Sequence, residues 1–105
     1  MYFIEFIEPK PDVSLERFRD VVKAHVDRWA GEHPEDELVL NVGRTWWLGP
    51  QPAYITAWRI GGVATLAAWQ AALAQPEAGE HHDEFSQVAT IVHAGLYEDL
   101  GAEMA

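Results

Sequence analysis

The chain has 105 residues, 49% of them hydrophobic and 23% charged, which is the composition of a single folded domain over residues 1–105 and argues against a disordered chain. Its 17 acidic against 7 basic residues leave a formal net charge of −10, which argues against nucleic acid and anionic membrane surfaces as partners, since both select basic patches. With no cysteine, a disulfide framework, a thiolate nucleophile and a thiolate metal site are excluded.

Tyr2 to Glu8 reads as a first strand, ended by Pro9 and Pro11, which cannot continue a hydrogen-bonded ladder. Its faces are Tyr2/Ile4/Phe6 and Phe3/Glu5/Ile7, so it is apolar on both sides except at Glu5. A carboxylate at such a position must find a partner or carry a raised pKa. No basic leader or long apolar stretch precedes this strand, so no signal peptide is expected. From Ser14 to about Ala30 the period becomes helical, with Leu15, Phe18, Val22, Val26 and Trp29 on one stripe. Ser14 is the expected N-cap and Gly31 the expected C-terminal left-handed residue. His25 sits at the edge of the stripe, and His33 falls in an acidic connector with no role indicated.

Leu38 to Trp47 and Ala53 to Ile60 read as the two arms of a β-hairpin around the turn Leu48-Gly49-Pro50-Gln51-Pro52. Both faces of these arms are apolar, so they need cover from both sides. Gly61-Gly62 breaks the second arm, and a helix is expected from about Val63 to Ala74, carrying Leu66, Trp69 and Leu73. This longest mainly apolar run is too short to cross a bilayer, so no membrane partner and a cytoplasmic location are expected. Phe85, Val88, Ala89 and Val92 suggest a short third helix, and Ile91 to Glu98 the last strand, with a junction that the pattern does not place. The order β-α-β-β-α-(α)-β predicts an α+β fold, a four-stranded antiparallel sheet in a ferredoxin-like sandwich with helices on one face. The other face needs cover too, and a second copy in a two-fold homodimer is the simplest source.

In this order and spacing the chain resembles the dimeric α+β barrel superfamily, which includes antibiotic-biosynthesis monooxygenases, haem-degrading enzymes, polyketide cyclases and the NIPSNAP and EthD-like proteins. The segment Gln75 to Phe85 carries the local likeness: a helix ends, a loop follows, and a His opens the next short helix. The resemblance implies that His81 or His82 lines a cleft between helices and sheet, with the choice between them open. In the first strand the haem-degrading members carry an Asn, where this chain has Glu5, Phe6 and Ile7.

In such a cleft His81, His82, His25 and Tyr54 are the candidate catalytic residues, and Glu5, Asn41, Arg44, Trp46, Trp58 and Trp69 the candidate substrate-binding ones. Histidine is the natural acid/base near neutral pH, and a mostly apolar wall with a few placed polar groups is the make-up of a small-molecule site. Arg44 or Arg59 could stabilise an enolate, or serve only to neutralise Glu5. A metal site at His81-His82-Asp83-Glu84 is disfavoured, because adjacent side chains rarely converge on one ion. The resemblance implies a cofactor-independent cyclase, isomerase or monooxygenase acting on a hydrophobic, aromatic or polyketide-like molecule. Its alternatives are a haem- or other ligand-binding member and a non-catalytic dimeric binding or structural protein.

Overall fold

A computed structural model describes residues 1–45, 54–73 and 83–101. In chain order these form β1 (Tyr2–Pro9), α1 (Leu15–Glu32), β2 (Glu37–Arg44), β3 (Tyr54–Arg59), α2 (Val63–Leu73), the short helix α3 (residues 83–88) and β4 (Ala89–Tyr97). The strands make one four-stranded antiparallel sheet in the order β2-β3-β1-β4, so β1 and β3 lie in the middle.

β1 leaves the sheet through a turn in which Val13 N–H donates to the Lys10 carbonyl at 3.2 Å. Asp12 stands there at φ 66°, the left-handed value that the third residue of a type II turn after Pro11 requires. Ser14 then caps α1, its Oγ accepting from Arg17 N–H at 3.1 Å. The buried stripe of α1 is Phe18, Val22, Val26 and Trp29, whereas Leu15 lies outside it and is exposed.

The helix does not end at Gly31. It runs to Glu32, and His33 closes it: the backbone N–H of His33 donates to the Trp29 carbonyl at 3.0 Å, its ring Nδ1 lies 3.0 Å from the same oxygen, and its ring stacks on Trp29 at 4.3 Å. A side chain that caps and packs at once removes the need for a glycine terminator. β2 begins at Glu37, one residue before the expected Leu38, and ends at Arg44, while residues 46–53, including Trp46, Trp47 and the expected turn, lie outside the described residues. β4 begins at Ala89, two residues earlier than Ile91. Ala89 and Thr90 pair with Pro9 and Glu8, so the full length of β1 sets where β4 starts, and Ala89 and Val92 belong to the strand rather than the helix.

All three helices pack on one face of the sheet. Phe18, Val22, Val26 and Trp29 of α1, Trp69 of α2, and Phe85 and Val88 of α3 form one buried cluster with Ile7 and Trp58 from the strands. The opposite face carries Tyr2, Ile4 and Phe6 from β1, Ile55 and Ala57 from β3, and His93 and Tyr97 from β4. Among the described residues no element covers that face, and Leu40 and Tyr97 are each 43% exposed on it. No described helix is long and apolar enough to cross a membrane.

Candidate functional site

Pairing between β1 and β3 sets Glu5 directly opposite Thr56, and both side chains point to the helix face. Thr56, almost wholly buried, donates through Oγ1 to Glu5 Oε1 at 3.0 Å. This pair forms the polar part of the floor of a cavity of about 360 Å³ between sheet and helices, within the size range of small-molecule sites. Phe3 and Trp58 flank the pair on the same strands, and Ala94 and Ile91 of β4 complete the floor.

Ile91 reaches the cavity because of an irregularity in β4. The register shifts between Phe6 and Ile7, so His93 pairs with Phe6 while Ile91 pairs with Ile7 and Val92 is the extra residue. Such a bulge lets Ala94 and Ile91, three apart, share a face that strict alternation would deny one of them.

The walls are helical. His25, Val26 and Trp29 come from α1, Leu66, Trp69 and Gln70 from α2, and Phe85 from α3. Trp69 holds the arrangement together. Its Nε1–H donates to Asp36 Oδ2 at 3.1 Å, a buried carboxylate in the connector between α1 and β2. Its ring meets Phe3, Trp29 and Trp58 edge-on, at interplanar angles of 86°, 82° and 75°. Trp29 Nε1 is buried without a hydrogen bond, a cost of about 1–3 kcal/mol to the fold. His25 lies against the Phe85 ring at 4.9 Å.

Of the residues singled out from the sequence, Glu5, His25, Trp58 and Trp69 line this cavity. Tyr54, Asn41 and Arg44 are not among its lining residues. The Tyr54 ring packs on Phe18 at 5.1 Å, further along α1. Asn41 donates through Nδ2 to Asp27 Oδ1 at 2.6 Å and is spent holding β2 to α1. Arg44 is exposed on β2, an edge strand. Asn41 and Arg44 belong to β2, outside the cavity, which lies over β1, β3 and β4; Tyr54 is on β3, but at the end where it packs on Phe18 of α1. Arg59 does not neutralise Glu5: it pairs with Glu37 at 3.5 Å and donates to the Tyr2 hydroxyl at 2.9 Å, contacts that raise its pKa, Tyr2 contributing most. His81 and His82 lie outside the described residues, and among those that are described no three His, Asp or Glu side chains gather to hold a metal ion.

Thr56, Trp29, Phe3, Gln70 and Phe85 were not singled out as site residues. Thr56 could have been found by pairing the second hairpin arm with the first strand, because its parity within the arm matches that of Trp58. Comparison of the chain with family models, with curated proteins and with solved structures gives no match in any of the three, so the geometry of this cavity carries the functional reading.

Proposed function

We propose that the cavity over Glu5 and Thr56 is a small-molecule site, and that the chain is a cofactor-independent enzyme moving a proton on a hydrophobic, aromatic or polyketide-like substrate. The observation that carries this reading is one apolar cavity holding a hydrogen-bonded carboxylate and hydroxyl on its floor and an imidazole in its wall. Its aromatic walls would bind the substrate by apolar burial, and the Glu5–Thr56 pair would fix its orientation. His25 would accept a proton from a carbon beside a carbonyl and return it at another atom, the step shared by isomerisation and aldol-type cyclisation. An imidazole does this well because its ordinary pKa lies near neutrality.

The reading includes a homodimer of the dimeric α+β barrel type. The strand order and the one-sided placement of the helices agree with a ferredoxin-like sandwich. Tyr2, Ile4, Phe6, Leu40 and Ile55 leave an apolar sheet face that a second copy would bury.

The test is a thermal-shift screen against aromatic acids, naphthoquinones and polyketide-like phenols, followed by NMR detection of deuterium exchange at enolisable positions of any hit. A hit whose exchange is lost in His25→Ala, with the fold retained, is the expected result. No shift from any probe and no exchange would overturn the reading, and a Soret band on haem titration would favour the haem-binding alternative. Sedimentation at micromolar concentration should give twice the 11.8 kDa of the chain, and Ile55→Glu should return it to the monomer. A wild-type monomer would remove the dimer.

A further inference from the structure

Building on the reading of the cavity as the site of an enolising step, we infer that Gln70 holds the reacting carbonyl, its side-chain amide donating to the oxygen on which negative charge develops. Removing a proton from a carbon beside a carbonyl puts the electron pair into a carbon–carbon double bond and moves the charge onto that oxygen. An apolar cavity cannot solvate the charge, so its wall must supply a donor. The two cations considered from the sequence are placed elsewhere: Arg59 is engaged by Tyr2 and Glu37, and Arg44 is exposed on the edge strand β2. Among the described residues that line the cavity there is no Lys or Arg.

The donors that remain are neutral, and most are already committed. Thr56 gives its hydroxyl proton to Glu5, and Trp69 gives its indole N–H to Asp36. Trp29 Nε1 is buried in the packing, out of a ligand's reach. Trp58 is 2% exposed and held edge-on against Trp69 in the core cluster. His25 serves the proton on carbon in the reading above. Gln70 is left. It lines the cavity from α2, it is exposed, and its amide has no hydrogen bond to any described residue. A carboxamide carries two N–H donors, and this one can turn to a ligand oxygen without breaking an existing bond.

Exposure along the lining orients the substrate. Trp29, Trp58, Trp69 and Phe85 are all at least nine-tenths buried, whereas Gln70, Ile91 and Ala94 are exposed. The closed end of the cavity is therefore aromatic, and its mouth lies between α2 and β4. An aromatic ketone enters ring first, which buries its apolar part and leaves its carbonyl at the mouth beside Gln70. The substrate class is thus a neutral ketone whose enolisable carbon adjoins an apolar ring system.

α-Tetralone, a bicyclic aromatic ketone, and tetralin, the same rings without the carbonyl, make the test. On the unmodified protein, the NMR signals of the Gln70 side-chain amide should shift when α-tetralone binds and stay in place when tetralin does. Deuterium uptake at the carbon beside the carbonyl, followed in heavy water, should fall about 100-fold in kcat in Gln70→Glu, which keeps the shape and loses the donors. KM should be nearly unchanged, because the hydrogen bond strengthens chiefly as charge develops. Unmoved Gln70 signals with α-tetralone bound, or a kcat within about threefold of the unmodified chain in a folded Gln70→Glu protein, overturn the inference and leave the cavity an enolising site. No deuterium uptake above the uncatalysed rate by the unmodified chain overturns the inference together with the reading on which it rests.

Discussion

The two faces of the sheet are built from the same strands and have opposite fates. On the helix face Ile7, Trp58, Phe18, Val22 and Val88 are closed into a core, and the space left over is a cavity with a carboxylate in it. On the other face Tyr2, Ile4, Phe6, Ile55 and Tyr97 are almost as apolar, and no described helix or further strand lies over them, the Arg59 guanidinium above the Tyr2 ring being a contact within that face. There the Tyr97 ring lies across Gly95, at 2.9 Å from where a Cβ would stand, so the sheet covers itself in part with its own side chains. Both faces alternate by the same rule. The difference lies in what the chain folds over them, and the face with helices is therefore where a ligand would be enclosed, while the bare one is suited to association.

Substitutions can break or sharpen this contrast. Phe18 is fully buried under α1, so Phe18→Ala should cost about 3–5 kcal/mol, measured by urea denaturation. A loss below about 1 kcal/mol would mean that the helix face is not the close-packed one. Asp36→Ala should cost about 1–3 kcal/mol, because it strands the buried indole N–H of Trp69. It should lower the melting temperature by roughly 4–8 °C per kcal/mol for a domain of this size. It should also weaken any ligand of the cavity, since Trp69 is its central wall.

Thr56→Val should cost about 1–2 kcal/mol by removing the donor to Glu5. Its distinguishing readout is ligand affinity, which should fall more than stability does, and an unchanged affinity would take the Glu5–Thr56 pair out of the site. Leu40→Ala, at a half-exposed position of the bare face, should cost under about 1 kcal/mol in a dilute monomer. The cost should grow with protein concentration if a second copy covers that face. Denaturation at nanomolar and micromolar chain concentrations separates the two cases, and equal losses would argue that Leu40 stays in water.

Glu5 and His25 illustrate how far one-dimensional reasoning reaches. A carboxylate in an apolar strand and a histidine beside a helical stripe are visible without coordinates, because strand parity and helix period place side chains before any packing is known. Asn41, Arg44 and Tyr54 illustrate where it stops. Parity puts a side chain on a face, but its partner there depends on where α1 lands: Asn41 is held against Asp27 of α1 and Tyr54 packs on Phe18, while Arg44, at the end of the edge strand, stays exposed. His33 is a similar case: its cap on α1 requires the ring to find both the Trp29 carbonyl and the Trp29 indole, and only the folded backbone brings them together.

The sequence by itself determined the α+β class, the existence of the described helices and strands, the two-sided apolar character of the sheet and the presence of a carboxylate within it. These follow from local periodicity, turn chemistry and composition, each a property of neighbouring residues. Tertiary structure alone decided that Glu5 meets Thr56, that a bulge at Val92 turns Ile91 inward, and that Trp69, anchored on Asp36, sets Phe3, Trp29 and Trp58 at right angles around one cavity. Those are contacts between residues far apart in the chain, and their geometry is fixed by register and by the packing of helices on the sheet, neither of which a local pattern encodes.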